Sequence, residues 1–297
     1  MRNTDGASKT AGKGLAIDFE GQHVLLKWHR LRRRLEDPLF SAANLAEGLR
    51  LGASMEIDLR AAGGRDFAVL HNETLDGETT GSGRVTAHEA VEIRTLRYRD
   101  KGSVAKRPVM TAEDIAGLLA ASDPNALLQL DMKDDLAAIG PVGVEHLAAL
   151  FGAAQANLVV SGDCTDLTLS LAERLPAMRR GLEPSFRLLA LHRSGKRKLL
   201  AGQLLQELRG PIRPHVVYLA WKLILAAKED GIDLVRICHD EGAKVDAWTF
   251  TPVNPSCGLR DAEWRDLLRL LELGVDQITT DDAIGMEQGF QERMAAR

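Results

Sequence analysis

The residues of this chain best suited to chemistry begin at Glu56-Ile57-Asp58, with Leu70-His71 a short strand later. Carboxylates two positions apart on a strand point to the same face. At that spacing they repel, and each raises the other's pKa, so a buried pair calls for a cation, a shared proton or an arginine. Upstream, the apolar run Val24-Leu25-Leu26-Lys27-Trp28 ends in His29-Arg30, and downstream Leu127-Leu128-Gln129-Leu130 ends in Asp131-Met132-Lys133. Glu56, Asp58 and Asp131 offer the hard oxygen ligands that one divalent cation, Mg²⁺ or Ca²⁺, prefers. Arg30 and Lys133 suit an anionic substrate, and His29 and His71 can divide general acid and base roles near neutral pH. Carboxylates, cations and histidines in this combination describe attack at a phosphate diester.

These groups stand where short apolar strands end, which is where an α/β barrel keeps its chemistry. Strand patterns fall at 23–28, 54–59, 66–70, 127–133, 158–162, 180–184, 216–221, 244–249 and 277–280. Helix patterns lie between most of them, at 41–51, 112–121, 142–154, 166–175, 197–208, 232–241 and 261–273. Apolar residues at Ala42, Leu45, Ala46 and Leu49 have helical spacing, with Gly52 as a stop. Strands alternating with helices predict a parallel sheet, and about eight such units favour a closed TIM (β/α)₈ barrel over an open sheet. The stretch 72–108 breaks the rhythm with Gly77, Gly81, Gly83 and Gly102 and no strong helix. It is expected to be a small inserted subdomain after the third strand, lying over the barrel mouth. The expected organisation is a polar N-terminal tail at 1–18 and one barrel domain at 19–297.

At 297 residues and a formal net charge of -4, the composition is ordinary for a globular protein and gives no nucleic-acid signal. No apolar run reads as a transmembrane segment and no secretory signal is evident, so a cytoplasmic protein is expected. Cys164, Cys238 and Cys257 are odd in number and widely spaced, which argues against a disulfide framework or a zinc cluster. The expected partner is a small-molecule phosphodiester, with self-association left open.

The ordered set of motifs resembles the glycerophosphodiester phosphodiesterase family from residue 23 to 283. It comprises His29-Arg30, Glu56-x-Asp58, His71-x-x-Thr74-Leu75-Asp76, Thr79-Thr80-Gly81-Ser82-Gly83 and Pro108 to Thr111. It continues through Leu130-Asp131-Met132-Lys133, Ala247-Trp248-Thr249 and Gly274-Val275-Asp276-Gln277-Ile278-Thr279-Thr280-Asp281. The resemblance implies a TIM barrel with an insertion, and a phosphoric diester hydrolase of lipid and glycerol metabolism that releases glycerol 3-phosphate and an alcohol. It implies His29 and His71 as the acid/base pair, Glu56, Asp58 and Asp131 as metal ligands, and Arg30 and Lys133 on the phosphate. It also implies attack by the substrate's own neighbouring hydroxyl, giving a cyclic phosphate that water opens.

The chain departs from the family at Leu31, where a glycine is usual, at Glu36-Asp37-Pro38 in place of Glu-Asn-Thr, and at Asp131 in place of Glu. Leu31 and the run Arg32-Arg33-Arg34 motivate an alternative substrate with a bulkier or second anionic part, a lysophospholipid or sugar phosphodiester. A non-catalytic phosphodiester-binding barrel is the reading from another class, but no histidine or carboxylate of the set is missing. Trp248 is either core or an apolar wall for the substrate. Asp281 is expected to cap the turn or helix that follows it.

Overall fold

The computed structural model describes residues 12–253 and 258–296; Cys257 and most of the expected tail lie outside them. Among the described residues there are twelve strands: β1 (Ala16–Phe19), β2 (Gln22–Trp28), β3 (Ser54–Ala61), β4 (Phe67–Val69), β5 (Arg97–Asp100), β6 (Ser103–Pro108), β7 (Leu127–Met132), β8 (Leu158–Gly162), β9 (Arg179–Leu182), β10 (Val216–Ala220), β11 (Lys244–Trp248) and β12 (Gln277–Thr280). Eight of them, β2, β3 and β7 to β12, pair in parallel, and β12 returns to β2 to close the ring. This is the expected (β/α)₈ barrel. Its strands are rich in Val, Ile and Leu because both faces are covered, by the filled interior and by the helices outside.

The helices are α1 (Ala42–Leu51), α2 (Ala90–Ile93), α3 (Ala112–Leu119), α4 (Leu136–Phe151), α5 (Thr165–Arg174), α6 (Ser185–Arg193), α7 (Leu200–Leu208), α8 (Trp221–Glu229), α9 (Leu234–Asp240), α10 (Asp261–Glu272) and α11 (Ala283–Ala295). Local signals set several of their ends. Ser41 caps α1 by accepting from the Asn44 amide at 3.3 Å, and Gly52 ends it in the left-handed region at φ 73°. Thr111 and Asp114 form a reciprocal capping box on α3. The sequence pattern does not single out α6, α8 or α11. Trp221, Leu223, Ile224, Leu225 and Ala227 make α8 apolar over most of its surface, which hides its period.

The helix expected at 142–154 starts earlier, at Leu136, because Asp135 caps it by accepting from the Ala138 amide at 2.8 Å. Gly140, at φ 67°, and Pro141 kink it rather than end it. The helical stretch Leu136–Asn157 is, by length and a hydropathy of 1.5, apolar enough to cross a membrane, which corrects the sequence expectation. Its Ile139, Val144, Leu147 and Phe151 are buried in the barrel's core, as expected of a barrel helix.

The strand expected to bring His71 to the ring forms at β4, but it runs antiparallel beside β3 and lies outside the eight. β1 likewise begins inside the stretch expected as tail and pairs antiparallel with β2. From Asn72 to Pro108 the chain makes a short 3₁₀ turn (Val85–Ala87), α2 and the antiparallel hairpin β5–β6. Leu75, Val85 and Ile93 are fully buried, and the Tyr98 hydroxyl donates to the Val69 carbonyl at 2.9 Å. Arg107 on the hairpin donates to the Leu39 carbonyl at 2.9 Å, tying the insertion to the loop that follows β2.

Candidate active site

Strand pairing decides which side chains meet. β3 and β7 pair so that Asp58 lies opposite Asp131 and Glu56 opposite Gln129. With side chains alternating in direction, Glu56, Asp58, Gln129 and Asp131 project into the barrel as neighbours. Lys133 follows Asp131 by two positions, just beyond the end of β7. His29 and Arg30 begin the turn after β2, and His71 follows β4. One cavity of about 270 Å³ at the C-terminal ends of the strands is lined by His29, Arg30, Glu56, Asp58, His71, Asp131, Lys133 and Trp248. All eight residues singled out from the sequence therefore border one space.

The carboxylates are crowded and dry. Ligand oxygens of Glu56, Asp58 and Asp131 lie within 4.8 Å of one another. Burial, and then the Asp58 charge, pushes the Glu56 carboxyl up to about 7. Burial raises Asp131 as well, despite the opposing pull of Lys133. Burial alone would lower the Lys133 ammonium, but Asp131 and Asp58 outweigh it and raise it. Lys133 lies 2.8 Å from Asp58 Oδ1. Arg30 Nε lies 2.9 Å from Asp58 Oδ2, an ion pair by distance, yet its angle is too poor for a hydrogen bond and leaves both buried atoms without one. A buried carboxylate oxygen with an unused lone pair, in an all-oxygen donor set, fits a hard divalent cation. Glu56, Asp58 and Asp131 could hold it.

The turn carrying Arg30 is held in a sparsely populated conformation, with φ 51° at Arg30 and 63° at Leu31. Such strain persists where surrounding structure over-determines it. Here the Arg30 amide donates to Glu56 Oε2 at 2.8 Å, and the Leu31 side chain is fully buried in the core. The positive φ explains why glycine suits this position. Leu31 consequently does not crowd the rim, which removes one reason for expecting a bulkier substrate.

Two of the three arginines of the run, Arg32 and Arg33, are taken up by partners within the fold. Arg32 lies 3.2 Å from Asp281 and donates to the Leu35 carbonyl. The Arg33 guanidinium lies 5.0 Å from the centre of the Trp28 ring. Asp37, from the altered Glu36-Asp37-Pro38 segment, accepts from the amides of Arg33 and Arg34 and from the Asn44 side chain, which fixes the loop.

Asp281 corrects a second expectation. The cap of α11 is its neighbour Asp282, whose Oδ1 accepts from the Gly285 amide at 2.6 Å. Asp281 instead bonds His29 Nδ1 through Oδ1 at 2.7 Å and accepts from the Thr251 hydroxyl through Oδ2 at 3.2 Å. Burial works against its ionisation, but the His29 contacts and Arg32 hold the carboxyl below its usual range. A carboxylate on Nδ1 fixes the ring's orientation and leaves Nε2 for the cavity. His71 Nδ1 is similarly paired with Asn72 Oδ1 at 3.1 Å.

Sequence reasoning also passed over Lys27, Gln129, Glu183, Phe186 and Tyr218, which line the same cavity. Glu183 directly follows β9; burial, and then the Asp131 charge, pushes its carboxyl up to about 8. Phe186, on the first turn of α6, packs edge-on to Trp248 with ring centres 5.9 Å apart. Gly181 gives the Tyr218 ring its room, since a Cβ there would lie 2.7 Å from it. Lys27 sits inside the apolar run Val24-Leu25-Leu26-Lys27-Trp28, and nothing in that run distinguishes it from an exposed lysine.

No protein-family model matches the chain, and no curated protein matches it. Solved structures do. This is the fold of the glycerophosphodiester phosphodiesterases. A glycerophosphoryl diester phosphodiesterase from Parabacteroides distasonis superposes with a TM-score of 0.60 at 16% identity, covering 94% of this chain and 90% of that one. The glycerophosphodiester phosphodiesterase of Thermotoga maritima gives 0.58 at 15% identity, over 92% of this chain and 99% of that one. A phosphodiesterase from Oleispira antarctica, in complex with the product sn-glycerol-3-phosphate, gives 0.55 at 16% identity, over 90% and 96%. At these identities the likeness is one of architecture.

Proposed function

We propose that this chain hydrolyses glycerophosphodiesters to glycerol 3-phosphate and an alcohol, with a divalent cation held by Glu56, Asp58 and Asp131. The observation that carries this reading is the meeting, in one cavity, of two histidines, three clustered carboxylates and two cationic side chains. They meet at the catalytic end of a barrel shared with solved glycerophosphodiester phosphodiesterases. The cation, Mg²⁺ or Ca²⁺, would supply positive charge against the phosphoryl oxygens.

The chain's own residues carry the remaining work. Arg30 and Lys133 stabilise the charge that grows on the non-bridging oxygens. His29, oriented by Asp281, and His71 divide the proton transfers. One imidazole takes the proton of the attacking hydroxyl as its oxygen bonds to phosphorus. The other gives a proton to the alcohol oxygen as the second P–O bond breaks. If the attacking group is the substrate's neighbouring hydroxyl, proximity supplies much of the rate, and water then opens the cyclic phosphate. Trp248 forms an apolar wall.

The test is release of glycerol 3-phosphate from a panel of glycerophosphodiesters, with EDTA and then with excess Mg²⁺ or Ca²⁺. Activity should vanish in chelator and return with the ion. Full activity in EDTA, or no turnover of any diester, would contradict the proposal.

A further inference from the structure

The hairpin β5–β6 of the insertion concentrates charge of one sign. Between Arg97 and Pro108 it carries five cationic side chains, Arg97, Arg99, Lys101, Lys106 and Arg107, against the single acid Asp100. The rest of the chain outweighs it, since the net charge of the whole is -4. Burial sorts these groups by face. Tyr98 is buried, and Arg107 lies over its ring, 5.1 Å from the centre, where it pairs with Asp100 at 2.6 Å. Arg97, Lys101 and Lys106 are exposed and form no ion pair among the described residues. Val104, paired across the hairpin with Arg99, is 56% exposed among them.

The turn joining the two strands is Lys101-Gly102, with φ 48° and 83°. Left-handed conformations at both central residues make the two-residue hairpin turn that favours Asn-Gly or Asp-Gly. A lysine is strained there, so the chain keeps a cation at the tip where asparagine would close the turn more easily. Protection of the open edge of β6 does not account for this. Charge of either sign guards an edge, and an exposed valine weakens the guard.

A valine framed by unpaired cations suits the boundary of a bilayer. The basic groups are drawn to anionic headgroups, and the apolar side chain enters the headgroup layer. Single-stranded nucleic acid calls for aromatic faces beside the basic groups, and the one aromatic ring of the hairpin, Tyr98, is 3% exposed.

We propose that the β5–β6 hairpin docks this protein reversibly on an anionic lipid surface, with Lys101, Val104 and Lys106 in contact with it. Arg107 ties the hairpin to the loop after β2 through the Leu39 carbonyl, so the contact is made from the end of the barrel that holds the candidate active site. The proposal is independent of the reaction performed in the cavity.

The test is co-sedimentation of the full chain with vesicles of phosphatidylserine and phosphatidylcholine in equal parts, and with vesicles of phosphatidylcholine alone. Binding is expected to the anionic vesicles only, and it should weaken as salt is raised. Each basic residue near an anionic surface strengthens binding by about fivefold, so Lys101→Asn/Lys106→Ser should weaken it by about 25-fold. Asparagine suits the left-handed turn, so the Tm of this variant should equal or exceed that of the parent while its binding falls. Val104→Ser should weaken binding without changing its salt dependence. Equal binding to both vesicles, binding to neither, or binding that the double variant retains in full would overturn the proposal. Retention on heparin without vesicle binding would also overturn it and make the partner a soluble polyanion.

Discussion

Two buried clusters of charge occupy the same barrel interior, and they are built on opposite rules. At the mouth, Glu56, Asp58, Asp131 and Glu183 share a cavity with Arg30 and Lys133 and with Lys27, which is paired to Asp246, two of the carboxyls are pushed up to about 7 and about 8, and an Asp58 oxygen lacks a hydrogen bond. One layer deeper, Lys27 meets Asp246 at 2.9 Å and bonds Gln129 Oε1, while Asp246 accepts from Thr279 at 2.6 Å and from Gln277. Lys27 also lies 4.1 Å from the centre of the Tyr218 ring. The floor is neutral and its ionic groups are satisfied by one another. The mouth holds excess acid that its own side chains do not neutralise. Buried charge that is complete within the fold serves structure, whereas buried charge left incomplete marks a place where something from solution must bind.

The largest effect should come from removing a proton-transfer group at the mouth. His29→Ala should lower kcat on a glycerophosphodiester by about 10²–10⁴-fold with little change in Tm. A variant that unfolds, or that keeps its kcat, would move His29 into the structural class. The matching change in the floor should do the reverse. Lys27→Met leaves Asp246 buried and unpaired, and unfolding in urea should show a loss of about 3–5 kcal/mol. Adding Asp246→Leu to it should restore much of that loss, because the uncompensated charge is then gone. If Lys27→Met is as stable as the parent chain, the floor is not a closed ionic unit.

Asp281 should belong to the mouth by function although it lies outside the carboxylate cluster. Asp281→Asn keeps the shape but weakens the hold on His29 Nδ1, and kcat should fall on the order of 10–100-fold with KM little changed. The pH profile of kcat should shift as well, a change that a purely structural role would not produce.

The difference between the clusters also explains what the sequence could reveal. The mouth was legible because its residues end apolar runs, so His29, Glu56, Asp58, Asp131 and Lys133 announce themselves by position along the chain. The floor was not, because Lys27, Gln129 and Asp246 find each other only when distant strands come into register. Asp281 and Asp282 are adjacent and of one type. Which of them caps α11 and which grips His29 is set by backbone direction, which composition does not encode. The same is true of the arginine run: the Arg32 and Arg33 guanidinium groups are taken up by Asp281 and Trp28, partners far from it or hidden by the turn. The parallel ring was legible from alternation, whereas the antiparallel β4 was read as one of its members because a strand of three residues carries no sign of direction.

A smaller effect concerns pH in metal-free protein. Glu56 is buried and its carboxyl lies near 7, against about 4.3 in an unfolded chain. The unfolded state therefore gives up this proton first, and the group's contribution to stability is lost as pH rises from about 4.3 toward 7. Glu56→Gln removes that loss. The metal-free variant should gain on the order of 1–3 kcal/mol above neutral pH relative to the parent, and little or nothing at pH 4. A variant destabilised equally at both pH values would contradict the raised carboxyl.

The most direct test of the incomplete mouth is calorimetric titration of Mg²⁺ and of Ca²⁺ into EDTA-stripped protein, for the parent chain and for Asp58→Asn. The expected result is one ion bound per chain, with a rise in Tm on binding, and loss of both in the variant while the fold is retained. Absence of binding by either ion, or binding that Asp58→Asn leaves unchanged, would contradict the assignment of Glu56, Asp58 and Asp131 as the seat of a divalent cation.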